Sequence, residues 1–467
     1  MRSTKFWVPA LGVATLLIAA SAGAIPKRDL GHEVLAPNDG WASSGSGVTG
    51  GVLATFDQTY VVRTRRELIA ALNNGVPAST SPSNPSNTAK IIYVMGTLDF
   101  NVDDNNAPLT CEDYFRPDPA TGTMFSYEAF LATYDPAVWG RVNPSGPLEN
   151  ARAASAAAQQ LRVRIRPGSN TTIVGVGTNA VIRGAWFDLR GTAGVVGSRT
   201  NIIIRNLNFE DSYDCFPQWA PTDGTLGSWN ALYDAISLRD TDHVWIDHNT
   251  FRDKETADST QPLYFGVLFQ VHDGHLDVTN ASDLVTVSWN QFLDHDKVHL
   301  IGSSDSATAD RGKLRVTFHH NLYEGVGQRT PRVRFGKVHV YNNYYVLRNP
   351  ESFVYSWGVG VESGIYAENN FFRTENAITP DLLIERFNGT AIHESGTLLN
   401  GASDAHFVDL LAAYNDANDP DLGNDPGWVP TLFTPIDETR DVQALVLSGA
   451  GPIVWGIAVR PPTSWPR

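Results

Sequence analysis

Between residues 200 and 375, apolar and polar positions alternate in short runs, each followed by Asn, any residue, then an aromatic. The triplets are Asn249-Thr250-Phe251, Asn290-Gln291-Phe292, Asn321-Leu322-Tyr323, Asn343-Tyr344-Tyr345 and Asn370-Phe371-Phe372, spaced by 41, 31, 22 and 27 residues. The alternation predicts strands over 243–247, 284–289, 314–319, 337–341 and 364–368. A constant strand with return paths of unequal length predicts a solenoid in which each coil adds one rung to a stacked sheet. A β-sandwich also has short strands, but it favours spacings of about 8–12 residues. Asn suits the recurrent turn because its side chain bonds locally and it tolerates left-handed backbone. The aromatic two positions later is expected to fill the interior of successive coils.

Residues 90–93 and 170–177 read as earlier rungs, and 66–72 as a helix covering the amino-terminal end of the stack. The stretch 101–160, rich in Pro, Asp and Ala, reads as an elaborated loop whose 151–160 part favours helix. Beyond about 376 the repeat fades into a Pro- and Asp-rich tail with a helical piece near 404–414. The predicted organisation is therefore a leader over 1–24, a β-helix domain over 25–375, and an extension over 376–467 packed on its outside.

The leader rests on Arg2 and Lys5, the apolar run 6–20 and the small-residue site Ala22-Gly23-Ala24. That run is shorter than the roughly 20 residues a membrane span needs, so export and no membrane anchor are expected. Loss of Arg2 and Lys5 would take the formal charge from -15 to -17. Without a basic stripe to offset such acidity, nucleic acid is excluded as a partner. Length alone would suggest two or three domains, yet solenoids lengthen without thickening their core. Cys111 and Cys215 are the only cysteines. In an exported chain they are either bridged or two buried thiols, and the sequence leaves both open.

Four segments carry a resemblance to a known family: Val244-Trp245-Ile246-Asp247-His248, Asp273-Gly274-His275-Leu276-Asp277, Asp294-His295-Asp296-Lys297, and Gln328-Arg329-Thr330-Pro331-Arg332-Val333-Arg334-Phe335-Gly336. With Gly40-Trp41, Val48-Thr49-Gly50-Gly51 and 170–177 upstream, the chain resembles the pectate lyases of polysaccharide lyase family one over about two thirds of its length. The resemblance implies an all-β, right-handed parallel β-helix with calcium in a groove on one sheet. It also implies a secreted enzyme that cleaves polygalacturonate by β-elimination to 4,5-unsaturated products, and a monomer is expected.

The residues themselves make calcium reasonable. Polygalacturonate carries a carboxylate on every sugar, so an Asp-rich site would repel it unless a hard, oxygen-seeking cation stood between. Asp273 and Asp277 could share an ion if Gly274 turns the chain between them, since on a straight strand they stand too far apart. The resemblance adds Asp234, in Tyr233-Asp234-Ala235-Ile236, as a third ligand. It assigns Lys297 and Arg334 to substrate carboxylates and Arg329 to the base. A guanidinium normally stays charged; calcium, Lys297 and Arg334 nearby would disfavour its protonated form, so an alkaline optimum is expected.

Other motif residues read as structural or open. Arg332 is expected to point inward and Trp245 and Ile246 to be scaffold. Asp247, His248, Asp294 and Asp296 either hold neighbouring ligands and Lys297 or simply pack the coils. Zinc at His319-His320 or Asp294-His295-Asp296 is disfavoured, because adjacent strand residues face opposite ways and no third ligand has a familiar spacing. Three rivals compete with the lyase. A pectin lyase on methylated polymer would favour an aromatic groove over these charges. A hydrolase would need carboxylates around an attacking water. A non-catalytic polysaccharide-binding β-helix would have no use for Arg329.

Overall fold

The computed structural model describes residues 29–349, 352–375 and 377–456; the leader read over 1–24 lies outside them. Three long sheets of ten, nine and eight strands run the length of the molecule. Strands from successive coils pair in parallel within each. The chain is thus a right-handed parallel β-helix, as the repeat and the resemblance led one to expect.

Sheet one contains the strands read from the alternation, including Asp242–Asp247, Asp283–Ser288, Val316–His319, Lys337–Tyr341 and Gly364–Glu368. Its inward positions stack in register, Val244 on Val285, Val316, Val338 and Ile365. These β-branched side chains are fully enclosed and suit a pleated, buried surface. The helix Arg65–Leu72 covers the amino-terminal end, started by a Thr64/Glu67 capping box.

The Asn-x-aromatic triplets form the turn into sheet two, and both of their residues stack. Phe209, Phe251, Phe292, Tyr323, Tyr345 and Phe372 make a column with centroid spacings of 4.9, 4.9, 5.2, 4.9 and 4.2 Å. The asparagines do not take the left-handed backbone expected of them. That conformation falls on the residue before each triplet, His248, Trp289, His320, Asn342 and Asn369, with φ of 50–55°. Each asparagine is instead buried, and the first four bond to the next coil's. Asn290 Nδ2 donates to Ile246 O at 3.0 Å and Asn321 Oδ1 at 3.1 Å, while its Oδ1 accepts from Asn249 N at 2.9 Å. Asn290→Ala would leave these buried main-chain groups without partners. It is expected to cost on the order of 2–4 kcal/mol, measurable as a lower denaturant midpoint.

The long excursion after the early coils is more ordered than a loop. It holds helices Tyr127–Tyr134, Pro136–Trp139 and Pro147–Val163, the last started by Pro147 and reaching well beyond the Ala-rich part. With two small hairpins these helices build a second, aromatic core around Phe125, Phe130, Phe216, Trp219 and Trp229. Cys111 and Cys215 are bonded, tying the excursion to the chain that leads into Asp234.

One more coil, with strands Ile384–Arg386, His393–Ser395 and Leu398–Leu399, extends the sheets past the 375/376 boundary without an Asn-x-aromatic signal. Ile384, Ile392 and Leu399 line its interior instead. The tail contains the helix Leu410–Ala417 near its expected place, and a second helix, Thr439–Gly449, that sequence reading missed. Val442 and Val446 of that helix cover Leu322, Tyr344 and Phe371 on the outside of sheet two. The chain then runs back over earlier coils. Gly451 N donates to Trp289 O, Ile453 N to Asn206 Oδ1, and Trp455 Nε1 to Gly175 O, each at 2.7 Å. Among the described residues no helix is long and apolar enough to cross a membrane.

Candidate active site

Sheet three positions the site, and its alternation decides which side chains reach the surface. Strands Ile236–Arg239, Leu276–Thr279, Leu300–Ile301 and Arg332–Val333 put Ile236, Leu276, Ile301 and Val333 in the core. Ser237, Asp277, Leu300 and Arg332 therefore face outward. Ser237 pairs with Asp277, and Leu300 with Arg332. Arg332 does not point inward as expected, because Val333 holds that position; its guanidinium lies over the Phe387 ring, 3.8 Å from the centroid.

Asp234 sits just before its strand, buried, accepting hydrogen bonds from Gly274 N at 2.8 Å and from the Ser237 hydroxyl. Asp277 is also buried and accepts from Leu300 N at 2.9 Å. Gly274 lets the two approach. A Cβ there would lie 2.4 Å from Asp277 Oδ1 and 3.0 Å from Asp234 Oδ1. Asp273 is more open and turned toward Lys297, whose Nζ is 3.7 Å from its Oδ1. A groove of about 510 Å³ is lined by all three aspartates together with Arg190, Arg239 and Leu300.

Burial, then the charges of Asp277 and Asp273, holds the Asp234 carboxyl well above the usual range. Burial and Asp273 push Asp277 up to about 7, against the pull of the Leu300 N–H, Arg329 and Arg239. Two buried carboxylates with no cation against them are costly as anions. A cation with hard oxygen preference would remove that cost, so the donor set suits calcium or a similar ion.

Arg329 and Arg334 flank strand Arg332–Val333, two coils beyond Asp277. Arg329 has φ of +63°, a backbone state that disfavours a residue with a Cβ, and its carbonyl accepts from His299 N at 2.8 Å. Arg334 is nearly buried and bonded to Asp305 and Gly302. Lys297 precedes this region, bridged in parallel to Gln328.

The remaining motif residues separate into two places. Asp247 and His248 lie on sheet one and do not support the groove; Asp247 pairs with Arg205 at 2.6 Å and His248 at 2.7 Å. Asp296 does support it, accepting from Gln328 Nε2 at 3.0 Å, beside Arg329 in sequence. Asp294 is exposed. His319 and His320 touch each other, Nδ1 to Nδ1 at 2.9 Å, because His320 has a left-handed backbone and breaks strand alternation. Each also meets a terminal segment, His319 at Asp39 and His320 at Asp437.

Sequence reading missed a histidine brace under the groove. His295 Nδ1 lies 2.6 Å from Asp253 Oδ2 and its Nε2 2.9 Å from Asp273 O. Its ring stacks on that of His275 at 3.8 Å and 18°. Burial opposes the charge on His295, yet Asp253 and its other acceptors lift it to about 9. Burial, then His295, holds His275 well below its ordinary value. Asp253, His275 and His295 bring ligand atoms within 4.8 Å of one another, the one such trio among the described residues. Both nitrogens of His295 are already engaged, so the trio reads as a prop for Asp273. The groove arginines were missed too, although Arg190 and Arg239 occupy paired outward positions that the alternation could have revealed.

The fold and groove define a parallel β-helix protein with an acidic groove flanked by arginines. The pectate lyase family profile matches residues 142–418. A pectate lyase of Bacillus subtilis (strain 168) is 43% identical over 94% of this chain and 98% of its own. A thermostable pectate lyase structure superimposes with a TM-score of 0.85 at 46% identity, covering 91% of this chain and 99% of that one. A pectate lyase bound to a hexasaccharide gives 0.81 at 42%, covering 91% and 99%. The chain belongs to the pectate lyase family and is an enzyme of that kind, a carbon–oxygen lyase acting on polysaccharide.

Proposed function

We propose that this enzyme is secreted, requires calcium, and cleaves α-1,4-linked polygalacturonate by β-elimination to 4,5-unsaturated oligogalacturonides. One observation carries the reading: Asp234 and Asp277 converge at Gly274 as buried carboxylates, with a left-handed Arg329 two coils beyond Asp277. Asp234, Asp273 and Asp277 would hold the ion, which when bound supplies positive charge to a sugar carboxylate. Lys297 and Arg334 bind substrate carboxylates, which places the neighbouring sugar proton before Arg329. Arg329 removes that proton as the glycosidic oxygen one carbon further departs. Lys297 stabilises the negative charge that develops on that carboxylate.

The deciding assay follows ultraviolet absorbance on polygalacturonate with and without calcium, because only elimination creates a double bond conjugated to the carboxylate. No rise in absorbance, with sugar released, would mean a hydrolase.

The raised carboxyls also set a pH dependence. Asp277 holds its proton up to about pH 7 and must lose it to bind an ion, so calcium affinity should climb as pH rises through 7. In ion-free protein the sign is opposite. A raised carboxyl contributes stability below its unfolded value, and that contribution is lost as pH rises toward 7. Calcium titrations by calorimetry at pH 5, 6, 7 and 8 check this; flat affinity would remove Asp277 from the ligand set.

A further inference from the structure

We propose that Asp305 is a positioning residue, which holds the Arg334 guanidinium in the orientation that meets a galacturonate carboxylate. The inference rests on the assignment of Arg334 to substrate binding. Arg334 is held at two of its three nitrogens. Its Nε donates to Asp305 Oδ1 at 2.5 Å and its Nη1 to the Gly302 carbonyl at 2.9 Å. Both partners come from the turn that follows strand Leu300–Ile301, one coil before Arg334 itself. Asp305 is steadied from the other direction, where its Oδ2 accepts from Asn388 Nδ2 at 3.3 Å. The Nη2 of Arg334 has no partner among the described residues. Two of the three guanidinium nitrogens are fixed and Nη2 is left for a ligand.

The turn is shaped for this approach. Gly302 has φ of +86°, and a Cβ there would lie 2.9 Å from Arg334 O and 3.0 Å from Arg334 Cβ. The arrangement is also a contradiction if Asp305 has no such task. Its side chain is 45% exposed, so the pair is not a buried structural bridge. A carboxylate beside a substrate arginine weakens the pull on a polyanion. Fixing the direction of a long, flexible side chain offsets that loss, because recognition of a carboxylate by a planar fork depends on orientation.

The test is polygalacturonate kinetics at saturating calcium for Asp305→Ala, Asp305→Asn, Arg334→Ala and the Asp305→Ala/Arg334→Ala double variant. Asp305→Ala is expected to raise KM about tenfold with kcat within about twofold, the pattern of a misdirected binding group. Asp305→Asn keeps an acceptor for the Nε proton, so it should restore KM to within about threefold of wild type. In the Arg334→Ala background, Asp305→Ala should add nothing. An unchanged or lowered KM in Asp305→Ala overturns the proposal, as does a fall in kcat at constant KM with a lower melting temperature, the sign of a merely structural role. If Arg334→Ala itself leaves KM unchanged, the binding assignment fails and the positioning role with it. If Arg334→Ala raises KM and Asp305→Ala does not, only the positioning role fails.

Discussion

Replacing Arg329 with alanine is expected to lower kcat on polygalacturonate by about 10²–10⁴-fold, the span that a positioned general base contributes. The backbone argument sharpens the expectation. Alanine has the same Cβ as arginine, so it bears the same left-handed cost at φ of +63° and leaves the local strain as it was. Loss of the side chain is then the main change, and melting temperature should stay near wild type. Calcium affinity should move far less than kcat, because Arg329 bears on the ion site only through its charge beside Asp277. Initial rates of absorbance increase, with a calcium titration of the same protein, make the comparison. A variant that keeps a tenth or more of the wild-type kcat would end the case for Arg329 as base.

Removing calcium with a chelator is expected to abolish turnover and to leave the circular dichroism spectrum unchanged, with activity returning when calcium is restored. The fold does not depend on the aspartates for cohesion. Its parallel ladders, aromatic column and asparagine stack all run elsewhere in the coils. Asp277→Asn gives the matching genetic test. Loss of a ligand charge should weaken calcium binding at least about tenfold. At pH 8 without calcium, the same variant should melt higher than wild type, since it replaces a buried, unpaired carboxylate with a neutral amide. Undiminished activity in chelator would refute the metal assignment outright.

Much of this enzyme is legible in its sequence because a solenoid repeats its local rules. Alternation placed the sheet-one strands, and the Asn-x-aromatic triplet marked both interior columns, though the backbone conformation was assigned to the wrong residue. The asparagine amides had a stronger use, as partners for enclosed main-chain groups, than single-turn preference suggests. The last coil escaped because aliphatic residues replace its triplet. The groove was legible only where motif residues were contiguous. Arg190 and Arg239 come from separate coils, and it is register that brings them together. His275 and His295 lie in the motifs, but their stacking depends on a turn geometry that spacing does not encode. Asp247 and Asp296 were indistinguishable as motif acids, yet one braces sheet one and the other contacts Gln328.

The segment after helix Thr439–Gly449 changes how such a stack can come apart. In an open solenoid each coil touches only its neighbours, so the terminal rungs can peel away one at a time. Here a single stretch reaches from Trp289 back to Asn206 and Gly175, with Trp455 beside Tyr93 of the second rung. Peeling at the carboxyl end would loosen the opposite end as well. The molecule thereby behaves less like a row of tiles than like a bundle bound with cord.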